Sequence, residues 1–345
     1  MKLLQFIDSS EGPEPLGRVG WVEADQLIDL TSCPPHPRSL YEIYYSNDGN
    51  RVGIENAVQT LVSRSARRLD LAELLKNTED LSRLHLDRPV SPPADAPHRL
   101  RIWLAGVTHS DSAKLREIEA KQATGDPVNV YEQKYRECAE GGIPELFSKT
   151  NPDDLVGHGG EIALAPGAIR LVPETELVTV YGLNAEGQVE CLGYTGGNDY
   201  TDNGIEAQNP LNLPQAKNWS GGCASLGPIL ITPSEFDDAE VPMSCEVIRD
   251  GRRVAFKQGI TGRRCLNMPE GLYHLERALF RRLPLTAATL QLFYWGTPIV
   301  FGQDDLPDGL QAGDGVRMTF GGGIGALENR IVSIPEPDQL RERSG

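Results

Sequence analysis

Four prolines fall within nine residues, at Pro89, Pro92, Pro93 and Pro97. Each fixes φ and removes a backbone donor, so neither a helix interior nor a central strand can run through this stretch. Regular structure must lie on either side of it. The pattern predicts a linker over 88–97 and two units, 1–90 and 98–335. A length of 345 residues fits two units of about 150 residues each.

The first unit reads as a small α+β domain. Residues 3–7 and 18–22 are strand-like. Val58, Leu61, Val62, Ala66 and Leu69 recur at helical spacing and predict a helix over about 55–76. Arg64, Arg67 and Arg68 lie on that stretch and read as a solvated face. From residue 100 onward strands dominate, at 101–106, 176–181, 188–193, 228–232, 245–249, 253–257, 289–294, 316–320 and 329–333. Helices are expected over 112–122 and 269–282, the latter with Leu272, Leu275, Ala278 and Leu279 on one face. This is no β-α-β alternation, so a doubly wound sheet is disfavoured. The fold class is α+β, a small N-terminal α+β domain followed by a strand-rich domain.

Charge narrows the partners. With 49 acidic against 33 basic side chains the formal net charge is −16. Such a surface repels phosphate backbones and anionic lipid, which disfavours nucleic acid and membrane surfaces. No apolar run approaches the roughly 20 residues that span a bilayer, and Met1 to Asp8 reads as an opening strand rather than a signal peptide. The six cysteines form no CxxC pair and read as reduced thiols. A cytoplasmic location is expected.

The chemistry gathers in three places. Along a strand, side chains at i and i+2 share a face. Glu174 and Glu176 therefore converge, and two carboxylates side by side repel unless a cation or a proton lies between them. Oxygen ligands of this kind suit a hard divalent ion; the alternative is surface decoration. A turn at Asn184-Ala185-Glu186-Gly187 would pair 188–193 with 176–181. Asp199, just past the second strand, could then meet the two glutamates, or Asn198-Asp199 could simply cap a turn. Lys217 lies between Ala216 and Asn218 in a loop with two prolines. Beside a metal and apolar walls it could act as a base or steady an enolate; otherwise it is a solvated loop lysine.

In this order the pieces resemble the fumarylacetoacetate hydrolase superfamily over about 103–332. The matching elements are Gly106-Val107-Thr108-His109, Pro144-Glu145-Leu146-Phe147-Ser148-Lys149, Glu174/Glu176, Gly193-Tyr194-Thr195 with Asn198-Asp199, Lys217, Leu226-Gly227-Pro228, Gly296-Thr297-Pro298, Gly313-Asp314 and Gly323 to Asn329. The stretch from Ile205-Glu206 to Asn209-Pro210-Leu211, with Leu213 to Lys217, looks most like the 2-keto-3-deoxy-sugar-acid dehydratase subgroup.

The resemblance implies a β-roll C-terminal domain, a homodimer, Mg²⁺ or Mn²⁺ on Glu174, Glu176 and Asp199, and a small-molecule 2-oxo acid or 1,3-diketone substrate. It implies a catalytic Lys217 and substrate contacts from Thr297, Gly325 and Lys149; in place of the family's usual acid–base pair, His109 or Glu119 is expected to assist a leaving hydroxide. Five positions depart from the family pattern, among them His109, where relatives have tyrosine. Asn203 stands where relatives have arginine and Asn129 where many have aspartate. Ser112 and Leu115 replace a His-x-x-Glu pair, so hydrolysis by that pair is disfavoured. Gly321 to Gly325 superficially suggests a dinucleotide loop, but no Rossmann unit surrounds it. The expected activity is a metal-dependent lyase acting on a 2-keto-3-deoxy sugar acid. The alternatives are a C–C hydrolase or decarboxylase on the same fold, or a metal-binding paralogue without turnover.

Overall fold

The stretch Thr175–Leu183 is buried at every residue, so both of its faces are covered. Its odd positions, Leu177 and Tyr181, join one apolar cluster with Cys245, Val247, Met318 and Ile331. Its even positions, Val178 and Val180, join a second cluster with Leu3, Tyr44, Val58, Leu192, Leu230 and Leu290. Side-chain alternation thus places one strand between two cores. The computed structural model describes residues 1–12, 16–110, 113–114, 117–118, 121, 130–283 and 286–334.

This strand is central to a twelve-stranded sheet. The order across it is Arg68–Asp70, Gln26–Asp29, Gly17–Glu23, Lys2–Ile7, Ala224–Ile231, Val189–Asp199, Thr175–Leu183, Leu290–Tyr294, Leu100–Gly106 and Glu145–Ser148. Two short strands attach at the side, His85–Leu86 to Lys2–Ile7 and Leu155–Val156 to Ala224–Ile231. A five-stranded sheet packs on one face, in the order Arg252–Thr261, Val241–Arg249, Gly315–Phe320, Gly325–Ser333 and Glu161–Leu164. The α+β class and the strand-rich C-terminal part are as expected from the sequence. Among the described residues no helix is long and apolar enough to cross a membrane, and all six cysteines are free thiols.

The helix expected over 55–76 is broken in two. Arg51–Arg64 ends at Ser65, Arg68–Asp70 pairs with Gln26–Asp29, and Leu71–Lys76 starts anew with Asp70 accepting from Glu73 N. The cause is Asp29, a fully buried carboxylate. Arg18 Nη2 approaches it at 2.6 Å and Arg67 Nη1 at 3.0 Å, and Arg67 Nη2 also reaches Asp8 at 2.5 Å. A buried charge must be paired, and pulling Arg67 inward takes the backbone out of the helix. Arg67 is therefore not part of a solvated face.

The proline segment carries no helix or strand between the strand ending at Leu86 and the short turn of helix Pro97–Arg99. The sheet nevertheless crosses it, because Lys2 pairs with Ile231 and Leu3 with Leu230. Val90 is only 1% exposed, and Gln5 Nε2 donates to Arg88 O at 3.0 Å and Ser91 Oγ at 3.1 Å. Residues before and after the prolines share one core.

Leu3→Ala tests what that sharing means for folding. Truncating a buried leucine costs about 2–5 kcal/mol. Calorimetry should show one unfolding transition that moves down as a whole. A second transition left at the wild-type temperature would show that 98–335 folds on its own.

Candidate metal centre

Register builds this site. The turn after Leu183 is closed by Asn184, whose side-chain oxygen accepts from Glu186 N at 3.1 Å and Gln188 N at 2.8 Å. Next to the turn Tyr181 faces Cys191, but further on Val180 faces Gly193. Leu192 is thus one extra residue, a bulge. Opposite residues of an antiparallel pair share a face, and a one-residue slip turns every side chain over. The bulge puts Gly197 opposite Glu176, and Asp199 N donates to Glu174 O at 2.9 Å. Without it Asp199 would point to the other face. Gly197 leaves room: a Cβ there would meet Tyr294 Cε1 at 2.4 Å.

Glu174, Glu176 and Asp199 come together as expected. One oxygen of each lies within 4.8 Å of the others, and all three residues are buried. Two lysines offset them. Lys217, the last residue of the short helix Leu213–Lys217, donates to Asp199 Oδ2 at 2.5 Å, Glu174 Oε2 at 3.0 Å and Thr201 Oγ1 at 2.8 Å. Lys149 Nζ lies 2.6 Å from Asp199 Oδ1 and donates to Tyr200 O and to Lys217 O. With all three acids ionised, two ammonium groups would leave one negative charge in excess. Burial, reinforced by Asp199 and Glu174, pushes the Glu176 carboxyl well above the ordinary carboxylate range. Its Oε2 accepts from Gly296 N at 2.7 Å, while its Oε1 has no hydrogen-bond partner. A buried, unsatisfied oxygen beside two further carboxylate oxygens is a donor set that fits a hard divalent cation.

The walls of the cavity follow from close backbone approaches. Gly296 has φ +85°, and a Cβ on it would lie 2.1 Å from Thr108 Oγ1. Thr297 lines the cavity, but its hydroxyl is engaged with the backbone, 2.8 Å from both Thr175 O and Ile299 O. Glu145 faces Gly106 across a strand pair, and a Cβ on Gly106 would come within 2.0 Å of Glu145 Oε2. Glu206, on the helix Asn203–Gln208, lines the same cavity with Tyr131, Phe147 and Leu213. Burial first, and then the charge of Glu206, lift the Glu145 carboxyl to about 7.

Three other expected site residues do not line the cavity. His109 is buried between two hydroxyls, Nδ1 2.9 Å from Thr108 Oγ1 and Nε2 3.0 Å from Thr261 Oγ1. Lys149 is fully buried behind Asp199, with its ammonium 5.3 Å from the centre of the Trp219 ring. Gly325 pairs with Phe320 in the five-stranded sheet. None of the three is among the residues lining the cavity. Glu119, Ser112, Leu115 and Asn129 lie outside the described residues. Asn203 is buried at the start of its helix. Glu145 and Glu206 were not singled out for chemistry from the sequence, because neither shows a spacing that distinguishes it from an ordinary polar residue.

Comparisons with known proteins show the family. A family model described as fumarylacetoacetate (FAA) hydrolase C-terminal matches residues 118–332. A probable 2-keto-3-deoxyxylonate dehydratase of Haloferax volcanii is 31% identical over 307 residues, covering 89% of this chain and 92% of the relative. A 2-dehydro-3-deoxy-D-arabinonate dehydratase of Saccharolobus solfataricus is 30% identical over 260 residues, 75% of this chain and 78% of the relative. The structure of a 2-keto-3-deoxy-D-arabinonate dehydratase complexed with magnesium and 2,5-dioxopentanoate superposes with a TM-score of 0.68, at 22% identity. The likeness covers 97% of this chain and all of that one, and it extends to the fold.

Calorimetric titration with Mg²⁺ should show one binding event per chain in the wild type. Glu174→Ala combined with Glu176→Ala removes two of the three ligand residues and should abolish it in a chain that still melts cooperatively. Unchanged binding in the folded double variant would place the cation elsewhere.

Proposed function

We propose that this chain, an enzyme that belongs to the fumarylacetoacetate hydrolase family, is a divalent-metal-dependent dehydratase of a 2-keto-3-deoxy sugar acid. The observation that carries the reading is the buried Glu174, Glu176 and Asp199 triad with Lys217 bonded into it. Two relatives at 30% and 31% identity that are described as sugar-acid dehydratases support the reaction type. A Mg²⁺ or Mn²⁺ ion held by the three carboxylates would supply a Lewis acid for the keto oxygen of a 2-oxo acid.

The chain's own residues do the rest. Lys217 stands at the edge of the triad, within hydrogen-bond reach of two of its members. Beside a cation held by the triad the ammonium form of Lys217 would be disfavoured, and the neutral amine would then take the C3 proton; as an ammonium it would instead steady the enolate. Eliminating the C4 hydroxyl also needs an acid. Glu145 lines the cavity, and with its carboxyl lifted to about 7 a substantial fraction is protonated near neutral pH. It assumes the role expected of His109 or Glu119, since His109 has both ring nitrogens bonded to threonine hydroxyls. The Gly296 N–H fixes Glu176, and Thr297 ties the following turn to Thr175 O. Lys149 compensates the charge of Asp199 from behind and holds the carbonyl of Lys217.

The expected homodimer is assigned to the edge strand Arg252–Thr261. Val254, Phe256 and Ile260 are exposed there on one face. If this face mediates association, Phe256→Glu lowers the sedimenting mass; an unchanged dimer would place the interface elsewhere.

The reaction is tested by incubating the enzyme and Mg²⁺ with 2-keto-3-deoxy pentonates and acylpyruvates. Loss of water supports the dehydratase reading, and cleavage of the carbon chain would assign a hydrolase or decarboxylase. Lys217→Met should fold and lose roughly 10²-fold or more in kcat, the scale of a lost general base; near-wild-type turnover would remove Lys217 from the chemistry. As a protonated acid, Glu145 predicts a rate that falls as pH rises through about 7. Glu145→Gln should be slower and should lack that limb. A limb that persists would assign it to another group.

A further inference from the structure

We propose that Asn218 is a positioning residue that keeps Lys217 against the carboxylate triad by tethering the end of its helix to Thr150. The proposal rests on the dehydratase reading for the role of Lys217 and adds what holds that amine in place.

Lys217 is the last residue of the five-residue helix Leu213–Lys217, whose start has no side-chain cap. A helix this short is not stable on its own, so it must be held from outside. The bonds of the ammonium to Asp199, Glu174 and Thr201 fix only the tip of the side chain. A lysine stem is long and flexible, so a single position for the amine also needs a fixed backbone.

Asn218 supplies that anchor. Its backbone has already left the helix, at φ −134° and ψ 122°. Its side chain therefore takes over the helix end. Nδ2 donates to Pro214 O, one turn back, at 3.2 Å, which occupies one of the carbonyls that a helix end leaves open. Oδ1 accepts from Thr150 N at 2.5 Å. One amide thus closes the helix and ties it to the residue after Lys149. Lys149 itself donates from Nζ to Lys217 O. Two adjacent residues, Lys149 and Thr150, grip two others, Lys217 and Asn218.

Thr150 bears an independent mark of this grip. Its φ is +52°. A β-branched residue in the left-handed region is strained and persists there only where its surroundings over-determine it. On one side Lys149 N donates to Ile102 O at 2.9 Å, in continuation of the strand pairing. On the other, the buried Lys149 ammonium is fixed on Asp199 and Tyr200 O. The backbone must turn directly after Lys149, and Thr150 absorbs the turn. Its N–H is thereby presented at one place, where Asn218 receives it.

The test uses Asn218→Leu, which keeps the bulk of the side chain and lacks both polar groups, and Asn218→Asp, which keeps the acceptor for Thr150 N. Asn218 is half-buried, so both variants should fold. With Mg²⁺ and a 2-keto-3-deoxy pentonate, kcat of Asn218→Leu should fall by about 10–100-fold, the scale of a catalytic group displaced by up to an ångström. KM should stay near that of wild type, and Asn218→Asp should recover most of the loss. Added to Lys217→Met, Asn218→Leu should lower kcat no further, because residues that act as a unit are not additive. An unchanged kcat in Asn218→Leu, no recovery in Asn218→Asp, or a full further loss on top of Lys217→Met overturns the proposal. Reductive methylation of the folded enzyme, mapped by peptide mass spectrometry, reads the tether without turnover. Labelling of the buried Lys217 relative to the exposed Lys76 should rise several-fold in Asn218→Leu and stay low in Asn218→Asp; an unchanged ratio in Asn218→Leu overturns the proposal. If Asn218→Leu does not fold, Asn218→Ala replaces it, and a failure of both to fold gives Asn218 a structural role alone and overturns the proposal. Labelling does not depend on which reaction is catalysed, so a failed dehydratase reading and a failed tether are told apart.

Discussion

Three carboxylates are held out of water within a few ångströms of one another, and much of the C-terminal architecture is arranged to make that tolerable. An isolated buried carboxylate is costly enough to take up a proton instead of keeping its charge. Here the cost is spread. Lys217 bonds to two members of the triad and Lys149 pairs with one, from opposite sides of Asp199. Glu176 has no lysine of its own in the hydrogen-bond pattern and receives the Gly296 N–H instead. Glu176 is the member pushed towards its protonated form, and a divalent cation would take the place of that proton and balance the third carboxylate.

The backbone makes that spacing possible through small departures from regularity. The bulge at Leu192 turns Asp199 to the glutamate face. Gly197 keeps the face clear under the Tyr294 ring, and Gly296 lets the backbone approach Thr108 while its N–H points at Glu176. Tyr294 also donates to Ser225 O at 2.8 Å, which ties the strand of the bulge's far partner to the same corner. These contacts surround a fully buried strand, whose movement would displace both cores. A site on such a strand is stiffer than one on a loop, and stiffness is what keeps three like charges in register.

Much of this was legible in the sequence, and what was not legible has identifiable reasons. The convergence of Glu174 and Glu176 follows from the period of a strand, and the turn at Asn184 announces the hairpin. The bulge leaves no such mark, because Cys191 and Leu192 are adjacent apolar residues and nothing local says which of them opposes the partner strand. Lys149 and His109 sit in motifs that carry the family resemblance, but a motif does not say which way a side chain points. Lys149 turns behind Asp199, and His109 finds a hydroxyl donor or acceptor in Thr261, on a distant strand. The proline cluster correctly marks an interruption of regular structure. It does not mark the core, because Leu3 pairs with Leu230, a partner that no local pattern could name. The broken helix near residue 65 has the same origin, since the attraction of Arg67 to Asp29 outweighs helical periodicity.

The burial that gathers the three carboxylates also acts on their neighbours. Glu145 and Glu206 line the same cavity as Glu174, Glu176 and Lys217. Burial raises the Glu145 carboxyl, the charge of Glu206 raises it further, and Lys217 and Lys134 act the other way, which leaves it at about 7. The same residue on an exposed strand would stay ionised at neutral pH. Glu145 is set against Gly106 by strand pairing, and its strand belongs to the sheet that also carries Glu176 and Asp199. One sheet therefore fixes both the metal ligands and an acid that changes protonation in the neutral range.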